Sequence, residues 1–146
     1  MELRLSRILN APRELVWAAW TDQKQLTKWW GPHHFTIPVC ELDVKPCGKI
    51  LIHMQGPDGT IYPMDGFYKE LIKPEKIVFV SVALDPKGNY LFEQTSTILF
   101  ETEGEKTKLS IHVTFDKLQP NAAMYLSGAE TGWNQMLDKL LMTYSW

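Results

Sequence analysis

Residues Lys108–Phe115 read KLSIHVTF. In an extended chain successive side chains point to opposite faces. Leu109, Ile111, Val113 and Phe115 therefore share one face, and Lys108, Ser110, His112 and Thr114 share the other. Such a strand has one side in a core and one in water, the habit of antiparallel sheets. Traced back toward the N-terminus, the two-residue period extends to Phe35. It is interrupted at Lys45-Pro46, Gly56-Pro57-Asp58-Gly59, Pro74-Glu75, Asp85-Pro86-Lys87-Gly88-Asn89 and Glu103-Gly104-Glu105. These are turn-forming residue types. About six strands with mostly short connections follow, which predicts an antiparallel meander.

The period changes on both sides of this block. Leu3 and Leu5 alternate with Arg4 and Ser6, as in a first strand. Pro12 suits a first helical turn, where its missing N–H costs nothing, and Glu14 suits the helix dipole. Val16, Ala19 and Trp20 share one helical face. Thr21 or Asp22 can cap a second short helix. That helix is predicted to run through Leu26 and Trp30 and to stop at Gly31-Pro32. After Gln119-Pro120, the residues Ala129, Trp133, Met136, Leu137, Leu140, Leu141 and Tyr144 form a wide apolar stripe on a long helix. Gly128 and Gly132 are expected inside it, at about 1 kcal/mol each relative to alanine, a cost explained if a strand or a ligand comes close.

The predicted class is α+β. A curved antiparallel sheet of six to seven strands covers a long C-terminal helix, with two short helices after the first strand, in one domain spanning residues 1–146. One helix is narrower than such a sheet, so apolar space between them is expected to stay open.

Composition narrows the function. The chain is 45% hydrophobic with a net charge of −2, and no stretch is densely basic. A nucleic-acid partner, which needs clustered Lys and Arg, is not expected. No apolar run approaches the ~20 residues of a membrane span, and the N-terminus lacks a signal-peptide core. No membrane partner is expected and the predicted location is cytoplasmic. A monomer and a homodimer both fit this composition. Cys40 and Cys47 lack zinc-site spacing and are read as unpaired small apolar fillers.

Four blocks, NAPRELVWAAWTD…LTKWWGPHHFT, DVKPCGKILIHMQGPDG, GFYKELIKPEKIVF and GAETGWNQMLDKL, resemble the activator of heat-shock protein 90 ATPase homologue 1-like (AHSA1-like) family. It belongs to the START-like or SRPBCC superfamily, with the birch-pollen allergen Bet v 1 and the polyketide cyclases. The resemblance covers nearly the whole chain. It implies a helix-grip fold, with the sheet bent around the C-terminal helix and a cavity between them that takes lipids, sterols or polyketides. It carries no shared catalytic residues. The chain departs from the pattern at Cys47-Gly48, where two glycines are usual, and at His34, commonly glycine. The co-chaperones that name the family carry a second, N-terminal domain, which is not expected in these 146 residues.

The expected function is binding of a small hydrophobic ligand in the cavity. Regulation of a chaperone, with its link to the stress response, is the alternative. Cyclase- or hydrolase-like catalysis is the second alternative. The candidate lining is Trp30, Ile50, Ile52, Met54, Tyr68, Phe79, Ser96, Ile98, Phe100, Ile111, Val113, Trp133, Met136 and Leu137, chosen by strand phase and helical stripe. Gln94 and Ser96, in phase with Ile98 and Phe100, and Tyr62 and Tyr68 are the polar groups able to reach it. Of the adjacent Trp29 and Trp30, about 100° apart on a helix, Trp30 is expected in the core and Trp29 at the rim. His33, His34, His53 and His112 are expected on the solvent side. No catalytic residue, metal ligand or cofactor is assigned: the Ser127-Gly128 context is not a nucleophile elbow, and Glu70, Glu93 and Tyr68 are only the residues that the cyclase- or hydrolase-like alternative would draw on.

Overall fold

The computed structural model describes residues 2–144 and 146. The first strand, β1 (Glu2–Leu9), leads into α1 (Arg13–Thr21) and α2 (Gln23–Leu26). Then come β2 (Thr36–Leu42), β3 (Lys49–Gln55), β4 (Ile61–Ile72), β5 (Lys76–Leu84), β6 (Tyr90–Glu103) and β7 (Lys106–Asp116). A short helix α3 (Ala123–Leu126) precedes α4 (Ala129–Tyr144). The strands form one antiparallel sheet in the order β1-β7-β6-β5-β4-β3-β2. This is the α+β layout expected from the two periodicities, and the helix-grip arrangement that the resemblance implies.

β7 shows why. Its buried residues are Thr107, Leu109, Ile111, Val113 and Phe115, alternating without a break. Their partners on β6 include Ile98 and Phe100, opposite Ile111 and Leu109. Register shifts at Thr36/Val39, Tyr68/Glu70 and Ala83/Leu84 act as bulges, which bend strands and add twist. The bent sheet presents a concave inner face. Trp133, Met136, Leu137 and Leu140 of α4 share one buried cluster with that face. Arg7, in phase with the inner side of β1, clamps α4 at the sheet edge. Its Nη2 donates to Asn134 Oδ1 at 2.6 Å and lies 3.9 Å from Asp138.

The two short helices depart from expectation in detail. Asp22 is the cap, its Oδ1 accepting from Lys24 N at 2.8 Å and Gln25 N at 3.3 Å. α2 ends at Leu26, and the chain turns through Lys28 before Trp29 and Trp30. Both tryptophans are buried, at 0% and 4% exposure, so the expectation that Trp29 lies at the rim is corrected. The turn is enclosed on two sides. Trp29 faces α1, its Nε1 donating to Ala19 O at 3.0 Å, while Trp30 faces the sheet and α4, with Phe79 at 6.2 Å and Trp133 at 6.0 Å.

The two non-glycine residues that depart from the expected pattern sit where the backbone favours glycine. His34 and Cys47 hold φ of +71° and +65°, in the left-handed region that glycine adopts without penalty. Beside Cys47, Gly48 is required sterically, because a Cβ there would overlap the Asp43 carbonyl oxygen. Cys47 is exposed and is not the apolar filler expected, whereas Cys40 is half-buried against the core.

Candidate functional site, a groove between the sheet and the C-terminal helix

A groove of about 330 Å³ opens where α4 begins. Met54, Tyr62, Met64, Leu91, Phe92, Gln94 and Phe115 line it from the sheet. Tyr125, Gly128, Ala129, Gly132 and Trp133 line it from the helical side, and Pro32 and Phe35 from the loop before β2. The alternation that builds the core also builds this wall, since Phe92 and Gln94 continue the inward row of Ser96, Ile98 and Phe100 along β6. Phe92 and Phe115 pack edge to face at 5.5 Å.

Gly132 leaves the wall open. A Cβ there would meet only Pro32 Cγ, at an ordinary 3.7 Å, and one at Gly128 would meet nothing closer than 4.0 Å. Gly128 precedes α4 rather than lying within it. Neither glycine is required by a close approach of the protein itself, so of the two expected reasons the packed strand is set aside. Their missing side chains widen the groove.

The loop wall is fastened by polar contacts. Lys139 Nζ donates to the carbonyls of Trp30, Gly31 and Pro32 at 3.1, 3.3 and 3.4 Å. Gln135 Oε1 accepts from His33 N at 3.1 Å. Burial lowers the Lys139 pKa below its ordinary value.

The candidate lining residues are divided by the fold. Met54 and Trp133 line the groove. Trp30, Ile50, Ile52, Tyr68 and Phe79 surround a separate void of about 20 Å³ beneath Trp20, room for about one water molecule. Burial pushes the Tyr68 hydroxyl above its ordinary pKa. Ser96, Ile98, Phe100, Ile111, Val113, Met136 and Leu137 are buried and line neither space. At that end the concavity is filled by tryptophan: Trp17 and Trp20 reach Phe100 at 5.4 and 6.3 Å.

Sequence reasoning missed Phe92 and Phe115 as lining, although strand phase places them in line with Gln94 and Val113. Pro32 and Phe35 carry no periodic signal, because they reach the groove from a loop.

Chemically the lining is uniform. It contains no carboxylate, imidazole, thiol or amine; its hydrogen-bonding side chains are the amide of Gln94, the phenols of Tyr62 and Tyr125 and the indole of Trp133. Such a surface can bury a molecule by its apolar area and orient it by these few polar groups. His33 and His34 are exposed on the outer loop. His112 is on the outer face of the sheet, 3.2 Å from Glu2. Among the described residues no group of three or more His, Cys, Asp or Glu is arranged to hold a metal ion, and no helix is long and apolar enough to cross a membrane.

Residues 10–143 match the family model described as activator of Hsp90 ATPase homolog 1-like protein. The chain belongs to this family. Solved structures share the fold. A protein from Silicibacter pomeroyi described as AHSA1 is 24% identical, covering 99% of this chain and 98% of its own, with a TM-score of 0.84. A protein from Chromobacterium violaceum is 26% identical over 98% of this chain and 96% of its own, with a TM-score of 0.82. One from Nitrosomonas europaea is 23% identical over 99% and 96%, with a TM-score of 0.82. No curated protein matches the chain.

Proposed function

We propose that this protein binds a small apolar molecule of lipid, sterol or polyketide type in the groove between the sheet and α4. The observation that carries the reading is the groove itself: about 330 Å³, within the range of small-molecule sites, and lined almost wholly by apolar side chains. Burying roughly 300 Å² of ligand surface at about 25 cal/mol per Å² contributes about 7 kcal/mol, which is micromolar binding before entropic costs. Family membership is in keeping with this reading.

A panel of lipids, sterols and polyketides tests it by native mass spectrometry and thermal shift. One-to-one binding abolished by Gly132→Phe supports the reading; no binding by any panel member at millimolar concentration sinks it. The family description favours a second reading, regulation of a chaperone ATPase. Its test is the ATPase rate of a heat-shock protein 90 chaperone with and without this protein, and an unchanged rate removes it.

A further inference from the structure

We infer that Gln94 is the polar anchor of the groove, and that it selects molecules with one uncharged hydrogen-bonding end over carboxylates and amines of the same carbon skeleton. This inference rests on the groove being a ligand site, as proposed above.

Gln94 shares the groove lining with Phe92, Phe115 and Trp133, and Phe115 is its cross-strand partner on β7. Its amide makes no hydrogen bond to another described residue, yet it is half-buried in the wall. Directly across the β5–β6 ladder lies Ser81, and two residues deeper on β6 lies Ser96. Both serines are fully buried, and neither hydroxyl has a partner among the described residues. Strand alternation puts all three on the concave face. The concave face thus carries a polar strip of Ser81, Ser96 and Gln94, and Gln94 is its member at the groove, alongside the phenols of Tyr62 and Tyr125.

Chemistry then narrows the occupant. A carboxamide offers one acceptor oxygen and two N–H donors, so it serves a ketone, an amide or an alcohol equally. A carboxylate or ammonium end would lose water with no opposite charge in the lining to replace it.

The test uses a matched ten-carbon series at pH 7: 1-decanol, 2-decanone, decanoate and decylamine. Binding is read by titration calorimetry on the wild type, Gln94→Leu, Gln94→Glu and Gly132→Phe. The expected result is binding of the alcohol and ketone at least tenfold tighter than the two ions. Gln94→Leu should weaken the alcohol by roughly three- to tenfold, the ordinary worth of a hydrogen bond. Gln94→Glu should turn the preference toward decylamine. Equal affinity for all four probes overturns the inference. So does alcohol binding that Gly132→Phe abolishes but Gln94→Leu leaves unchanged, an outcome that keeps the groove and rejects the anchor. Absence of binding by all four overturns the inference, and the lipid, sterol and polyketide panel then decides separately whether the groove binds a ligand.

Discussion

The indole of Trp30 stands edge-on to that of Trp133, ring centres 6.0 Å apart and 76° between planes. Trp30 also meets Trp20, Trp29 and Phe79 at 6.0, 5.5 and 6.2 Å. This single side chain therefore couples α1, the turn after α2, the sheet and α4. On its far side Trp133 lines the groove. Trp30→Ala should cost about 3–5 kcal/mol, the usual range for deleting a buried large aromatic. Trp29→Ala should fall in the same range, since it also removes the hydrogen bond to Ala19. Urea denaturation checks both, and an unchanged midpoint would contradict the packing described.

Gly132 is where stability and open space are opposed. Gly132→Ala should stabilise by up to about 1 kcal/mol, because alanine is the better helix former and its Cβ makes only ordinary contact with Pro32. Melting temperature reads the gain. A loss of stability would mean that the wall is tighter than described.

At His34 and Cys47 the backbone sits where a side chain is penalised. Replacing either by glycine removes left-handed strain of about 1–2 kcal/mol and gives back part of it as unfolded-chain entropy. A net gain of up to about 1 kcal/mol is expected from each. Cys47→Val, with a branched Cβ, should do the opposite. Paired melting curves of the glycine and valine variants decide the sign.

The two thiols should differ in reactivity. Burial pushes the Cys40 thiol up to about 11, with Glu41 adding to the effect, while Cys47 is exposed. At pH 7 a maleimide should add once to the native protein, at Cys47, and a second time only in denaturant. Intact mass followed by peptide mapping checks this. Native labelling of Cys40 would show that its packing opens.

The β5–β6 turn should respond to acid. Backbone N–H groups of Asn89 and Lys87 donate to Asp85 at 2.8 and 2.9 Å. Chiefly the Asn89 contact holds the carboxyl below its ordinary 3.8. Below that value the unfolded state takes up protons first, so stability rises with pH across the window between the two pKa values. The contribution is complete above 3.8 and is lost as pH falls through the lower folded value. Carboxyl-carbon NMR should show Asp85 titrating below 3.8, and Asp85→Asn should abolish the turn's acid response.

How far the sequence could be read depends on how local each cause is. KLSIHVTF declares its two faces because alternation needs only neighbouring residues. Gly59 and Gly88 mark their turns because positive φ is a single-residue property. The burial of Trp29 is different. It depends on α1 folding over a turn ten residues later, which no periodicity encodes. The lining was legible in phase but not in depth. Ile111 and Phe115 share a face of β7, yet tryptophans fill the space over one end of the sheet and leave it open over the other. Pro32 and Phe35 enter the groove through a loop that Lys139 fastens, a contact 107 residues away in sequence.

The strand order also sets a schedule for folding. β2 through β7 pair with sequence neighbours, whereas β1 pairs with β7, Glu2 against Thr114 and Leu9 against Thr107. The meander closes short loops, while the last ladder closes one of roughly a hundred residues, at a higher entropic cost. During synthesis the first strand to emerge must wait for the last. Until then Leu3 and Leu9 have no sheet to join, and the inner edge of β7 is uncovered. The N-terminal strand is the piece that completes the structure, and its side chains should govern how fast the sheet opens more than how fast it forms.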